Sequence, residues 1–250
     1  MTGKTHGAIA AGNARTVEAG MEMLRLGGNV FDAVVAAMVA SFITEPTLNS
    51  IAGGGFLLAH TQDDRNILFD FFCQTPRVKR PVEEIEFYPV TVNFGTATQE
   101  FHVGMGSIAV PGAIAGLFHV HDRLGRLPLR TLLEPAIHYA KQGIELDDFQ
   151  AYCFRILGPI WITSDSMRSV IAPGGKLLQP GDPMVMSDLA DTLIYLSETG
   201  ARGFYEGEIA QRLVRDCQEK GGYLTAEDLR HYQVIERQPL QTSYRGKTLL

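Results

Sequence analysis

The alternation of apolar and polar positions divides the chain into helical and extended stretches. Residues 7–11 form a short apolar run that reads as a buried strand. Asn13 is placed to cap a helix over about residues 15–26, with Ala14, Val17, Met21 and Leu24 at helical spacing and Gly27-Gly28 as a left-handed stop. Asn29, with Asp32 three residues on, predicts the start of a second helix. That helix is apolar almost all round (Val30, Phe31, Ala33, Val34, Val35, Met38, Val39, Phe42, Ile43). A helix without a polar face belongs between layers, and this one is expected under the strands that follow. Residues 55–61 and 66–72 read as a hairpin around Asp63-Asp64-Arg65.

Residues 81–110 carry a weaker pattern, read as loop and short strands. Helical spacing returns over residues 113–124 and 129–141, an αα-hairpin around Gly125-Arg126-Leu127-Pro128, with Gly143 as the stop. More helix is predicted near residues 147–157, then a turn-rich stretch over 173–183. Ser187 reads as the cap of a helix over 188–198, and 203–220 as one amphipathic helix ended by Gly221-Gly222. Thr225-Ala-Glu-Asp228 has the form of a capping box opening a short helix to Tyr232. Residues 240–250 read as strand. A chain stopping inside an apolar strand, at Leu249-Leu250, is expected to be part of a longer polypeptide. No repeat or linker divides residues 1–250, which read as one domain.

Composition narrows the class. In 250 residues, 45% are apolar and the net charge is -6, so the chain can build a core and is not a disordered one. The longest apolar run, residues 33–43 with only Ser41 interrupting it, falls short of the roughly 20 residues that span a bilayer. Basic residues are scattered or in short groups such as Arg77-Val78-Lys79-Arg80, without the basic stripe of a nucleic-acid binder. Three widely spaced cysteines and the lack of a signal-like N-terminus point to reduced thiols in the cytoplasm.

Candidate chemistry is sparse. Gly53-Gly54-Gly55 leads into a strand and lacks the lysine and hydroxyl of a phosphate-binding loop, so it predicts a close backbone approach to a helix or an active-site cleft. His119 and His121, two apart on a helix, point in different directions and do not make a metal site; His138 on the neighbouring helix adds little. Cys73 has no local signature of a thiol nucleophile. Thr2, if exposed by removal of Met1, would be an N-terminal nucleophile of the kind that uses its own amine as base, against the plainer reading of a frayed end.

The order of motifs carries further. Gly28-Asn29-Val30-Phe31-Asp32-Ala33-Val34-Val35-Ala36 resembles the GGNAxDAAVA stretch of the γ-glutamyltranspeptidases, and Ala52-Gly53-Gly54-Gly55-Phe56 resembles their GGGGF loop. Pro111-Gly112-Ala113-Ile114-Ala115-Gly116 is similar to their PGxxAG helix start, and Leu127-Pro128-Leu129 with Glu134-Pro135-Ala136 to their helical hairpin. Gly203-Phe204-Tyr205-Glu206-Gly207, residues 221–229 (GGYLTAEDL) and Tyr244-Arg245-Gly246 follow in the same order, so the resemblance runs from about His6 to Leu250.

The resemblance implies an α+β fold, the αββα sandwich of the N-terminal-nucleophile hydrolases, seen here as the N-terminal part of the large subunit. It implies a precursor that cleaves itself to expose a threonine beyond Leu250, which attacks a γ-glutamyl amide such as glutathione and passes the acyl group to water or an amino acid, with its own α-amine as base. No catalytic residue is then expected within this chain, no cofactor or metal is called for, and the partners are a small-molecule γ-glutamyl or acyl amide and the missing small-subunit segment. Homo-oligomerisation is left open. The family's D-[YF]-R-E-x-A-P arginine grips the substrate α-carboxylate; here the stretch is Asp70-Phe71-Phe72-Cys73-Gln74-Thr75-Pro76, with Phe72 in the arginine's place. The resemblance makes Phe72, Cys73, Gln74 and Arg77 the candidate substrate-binding residues, with Gly53, Gly54 and Gly55 near the site and Arg77 or Arg80 as substitute cations. The alternatives are an acylase of the same superfamily acting on glutaryl or other acyl amides, and a non-catalytic remnant with a binding role.

Overall fold

The computed structural model describes residues 7–250, so Thr2 and His6 lie outside the described residues. Helices α1 (Ala14–Arg25) and α2 (Val30–Thr44) precede the hairpin of β1 (Gly55–His60) and β2 (Asn66–Phe71). A second hairpin, β3 (Tyr88–Asn93) and β4 (Thr98–Val103), leads to the helical pair α3 (Ala113–Leu124) and α4 (Leu129–Gln142). Then come β5 (Ile144–Glu145), α5 (Asp148–Trp161), α6 (Asp165–Ile171), β6 (Pro183–Met184), α7 (Ser187–Thr199), α8 (Ala201–Tyr205), α9 (Glu208–Glu219) and α10 (Ala226–Arg230). The strands β7 (Ile235–Arg237), β8 (Thr242–Tyr244) and β9 (Lys247–Leu249) follow.

The principal sheet is antiparallel in the order β1-β2-β7, with Leu57 opposite Phe69 and Phe69 opposite Glu236. The period of two sends Leu57, Ala59, Phe69 and Phe71 to one face, where α3 covers β2. Gly116 of α3 makes this fit possible: a Cβ there would fall 2.0 Å from the Phe71 ring. Phe56 and Leu58 point to the opposite face and are exposed. The helical layer is built around α2, whose capping box joins Asn29 to Asp32. Val35, Val39, Phe42 and Ile43 are buried, and burying side chains of this size contributes about 1.5–3 kcal/mol each.

Several expectations need correction. Residues 7–11 form no strand, and of these only Ile9 is even half-buried; no described strand pairs with them. In α1 the buried stripe is Thr16, Ala19, Gly20, Met23 and Leu24, so of the apolar set named above only Leu24 is fully buried. Gly20 lets α2 approach, since a Cβ there would meet the Ala33 carbonyl at 2.9 Å. The principal neighbours of α2 are therefore α1, α3 and α4, not the strands, because α3 occupies the place on the sheet. The helix expected over 203–220 is two helices broken at Glu206-Gly207: Gly207 has extended backbone, and a Cβ there would lie 2.5 Å from the Gly203 carbonyl. Ser187 is the first residue of α7 and gives no side-chain cap. Residues 240–250 are a hairpin turning at Arg245-Gly246, both at positive φ. The helix α6 was not anticipated.

Candidate active site

The glycine-rich loop and the end of β2 meet at the N-terminus of α3. The Gly53 carbonyl accepts hydrogen bonds from the amides of Gly112 (2.8 Å) and Ala113 (2.9 Å), which a helix start leaves free. Gly54 lies against the backbone of the next strand: a Cβ there would be 2.6 Å from the Cys73 nitrogen and 2.7 Å from the Phe71 oxygen. Gly55 faces the Phe71 ring. The close backbone approach predicted for Gly53-Gly54-Gly55 is thus present, and its partner is the segment that carries Phe72 and Cys73.

That segment is tied down at several points. Phe72 accepts at its carbonyl from the Tyr232 hydroxyl (2.9 Å). Gln74 forms a two-way bridge with Val110, its amide donating at 3.1 Å and its carbonyl accepting at 2.8 Å. The Arg77 amide donates to Asp228 Oδ1 at 2.9 Å. The Phe72 side chain points outward and is 57% exposed, stacked on the 58%-exposed Phe56 with ring centroids 5.5 Å apart and planes at 16°. An arginine here could hold a carboxylate by two parallel charged bonds; the stacked pair offers an apolar aromatic surface instead. Arg77 is exposed, whereas Arg80 donates to the Gly222 carbonyl at 2.8 Å and pairs with Glu84 at 3.2 Å. Arg80 is thus committed to holding the fold, and Arg77 is the candidate cation of this stretch.

The Cys73 thiol and the Tyr205 and Tyr232 hydroxyls stay protonated. Burial raises the Cys73 thiol above its ordinary value, against the pull of the Gly112 amide. A thiol held this way is a poor nucleophile, because the thiolate is the reactive form. Burial also raises the Tyr205 and Tyr232 hydroxyls. Both therefore serve as donors: Tyr205 to the Pro111 carbonyl at 2.8 Å, Tyr232 to Phe72. For Asp228 burial works upward, but bonds from the Thr225 hydroxyl and the Arg77 and Thr225 amides, with the Arg77 charge, hold the carboxyl below its ordinary value.

His119 and His121 serve separate partners, Glu236 (2.7 Å) and the Leu127 carbonyl (2.8 Å). Among the described residues no group of three or more His, Cys, Asp or Glu side chains could hold a metal ion, and no helix is long and apolar enough to cross a membrane. The sequence reading missed Phe56, Tyr205, Tyr232 and Asp228 as neighbours of the segment. Only Asp228 carried a local signal, its place in the capping box, and that signal concerned α10 alone.

The gamma-glutamyltranspeptidase family model matches residues 16–250. Glutathione hydrolase 3 of Arabidopsis thaliana is 32% identical over 245 residues, 98% of this chain and 37% of that protein. The acylase ACY 1 proenzyme of Pseudomonas sp. (strain V22) is 29% identical over 98% of this chain and 44% of its own length. The chain thus spans about two fifths of the curated relatives it matches. The crystal structure of Helicobacter pylori γ-glutamyltranspeptidase superposes with a TM-score of 0.86 at 28% identity, covering 100% of this chain and 70% of that one. Sequence match and shared fold agree over nearly all of the chain, and it belongs to the γ-glutamyltranspeptidase family, corresponding to the N-terminal part of the large subunit.

Proposed function

We propose that the whole protein is a γ-glutamyltransferase-like amidohydrolase or acyltransferase, acting on small-molecule γ-glutamyl or related acyl amides, and that residues 1–250 form one domain of it that supplies part of the substrate site. The nucleophilic threonine, freed by self-cleavage, belongs to a segment beyond Leu250. Its hydroxyl attacks the amide carbonyl, its α-amine takes the proton and returns it to the departing amine, and water or an amino acid then takes the acyl group. Phe72, Cys73, Gln74 and Arg77 border the acyl group, with Gly53, Gly54 and Gly55 behind them. Three unpaired thiols, Cys73, Cys153 and Cys217, favour the cytoplasm as its compartment.

The observation that carries this reading is the meeting of the glycine-rich loop with the pinned segment 72–77. The exposed Phe72–Phe56 stack favours acyl groups without an α-carboxylate, glutaryl or longer, over γ-glutamyl itself. Charged hydrogen bonds contribute about 1.5–3 kcal/mol each, so loss of the arginine weakens γ-glutamyl binding at least roughly tenfold. The test is turnover of γ-glutamyl, glutaryl and longer acyl anilides by the whole processed protein and its Phe72→Arg variant. Wild-type preference for acyl groups lacking the α-carboxylate, moved toward γ-glutamyl by Phe72→Arg, supports the reading. A strong γ-glutamyl preference untouched by Phe72→Arg and abolished by Arg77→Ala assigns the clamp to Arg77. No turnover of any amide leaves the chain a binding remnant.

A further inference from the structure

Segment 72–77 is held from both ends by one short stretch of chain, and we infer that Asp228 and Tyr232 are positioning residues that set the affinity of this segment for the acyl group. The inference rests on the proposed role of 72–77 as a substrate-binding segment.

The Tyr232 hydroxyl reaches the Phe72 carbonyl across 160 positions of sequence, and Asp228 Oδ1 reaches the Arg77 amide across 151. Neither bond is needed to form β2 or α10. The Tyr232 ring is itself fixed, stacked on Tyr205 at 5.6 Å and 17°. Tyr205 is fixed in turn by the Pro111 carbonyl and the Ala115 amide (3.3 Å) at the start of α3. Gly112 leaves room for the arrangement: a Cβ there would lie 2.1 Å from the Tyr232 hydroxyl oxygen and 2.0 Å from the Phe71 carbonyl oxygen. With the Phe72 carbonyl bonded to Tyr232, its side chain is left on the Phe56 side. At the other end, Asp228 is 3% exposed and its Oδ2 accepts from the Thr225 amide (3.0 Å) and hydroxyl (2.7 Å), which orients Oδ1. The Gln74–Val110 bridge holds the middle.

A free loop must be ordered when substrate binds, and that cost subtracts from affinity. Here the ordering is completed on folding. Loss of either anchor therefore weakens substrate binding while leaving the chemistry of the bound complex alone, a rise in KM without a matching fall in kcat.

The experiment uses the whole processed protein and compares wild type with Tyr232→Phe and Asp228→Ala. It measures kcat and KM on the preferred acyl anilide, hydrogen exchange at the Gln74 and Arg77 amides, and the melting temperature. Tyr232→Phe keeps the ring stack and removes one hydroxyl, so it remains informative where Asp228→Ala fails to fold. For Tyr232→Phe we expect KM to rise about five- to tenfold with kcat within about twofold, the range of one lost neutral hydrogen bond, and exchange at Gln74 to quicken. Unchanged KM and unchanged exchange overturn the inference, as does a fall in kcat at constant KM. If the wild type turns over no amide, the proposed function fails separately, and exchange at Gln74 and Arg77 still decides whether the clamp exists.

Discussion

Asp32 and Asp228 hold the same place in two helices and divide their carboxylates in the same way. Each is the third helical residue of a capping box, and each gives Oδ2 to its own cap: Asp32 to the Asn29 amide at 2.8 Å, Asp228 to Thr225. Each then gives Oδ1 to distant backbone. For Asp32 this is the α3–α4 turn, through the amides of Arg126 (2.9 Å) and Leu127 (3.2 Å); for Asp228 it is Arg77. Both are buried, and what separates them is the partner each reaches. Asp32 ties two helical units into the core, whereas Asp228 ties a short helix to the segment beside the glycine-rich loop. The same local device thus serves the fold in one place and the candidate site in the other. Gln150 repeats it in α5, accepting from the Asp147 amide at 3.1 Å and donating to the Thr44 carbonyl at the end of α2.

If that distinction holds, the two aspartates fail differently. Asp32→Ala leaves three partly buried amides without their acceptor, and at about 1 kcal/mol for each the protein should lose about 3 kcal/mol, read by denaturant unfolding. Asp228→Ala should cost less, about 2 kcal/mol, because α10 is short and near the surface. Its KM should rise at unchanged kcat. Equal losses at the two sites, or a KM effect from a folded Asp32→Asn, break the comparison. Gln150→Leu should lie below both, at about 1–2 kcal/mol, since it orphans one buried carbonyl and the amide of Asp147, an exposed residue whose amide water can satisfy, while keeping the volume apolar.

The smallest effect is a dependence on acid. The Asp228 carboxyl is held below its ordinary value near 3.8. A carboxyl lowered on folding stabilises fully above its unfolded value and loses that contribution as pH falls through the folded one. Unfolding free energy followed from pH 6 downward should therefore decline below about pH 4, and part of that decline should be missing in Asp228→Asn. An identical slope in the variant removes Asp228 from the acid response.

Much of the helical layer was legible. The Asn13, Asn29 and Thr225 caps, the apolar circumference of α2 and the glycine stop at residue 143 are local properties, and the structure has each of them. Two of the misreadings share one cause. Ser187 had the chemistry of a cap and residues 203–220 the period of one helix, but neighbouring backbone at Met186 and Gly207 decided otherwise. At the site, the glycine-rich loop and the Phe72 substitution could be read from the residues, because a missing Cβ and a missing guanidinium are facts of sequence.

What the sequence determined alone is therefore the set of short-range signals: which residues cap, which stop a helix, which face of a strand is apolar, and which side chain stands where an arginine is expected. The tertiary structure decided where the spare hydrogen-bonding atoms went. Asp228 Oδ1 and the Tyr232 hydroxyl find Arg77 and Phe72 across 150 or more positions. No spacing rule encodes such a pairing, because backbone amides and carbonyls are the same at every residue, and only packing determines which of them comes within reach.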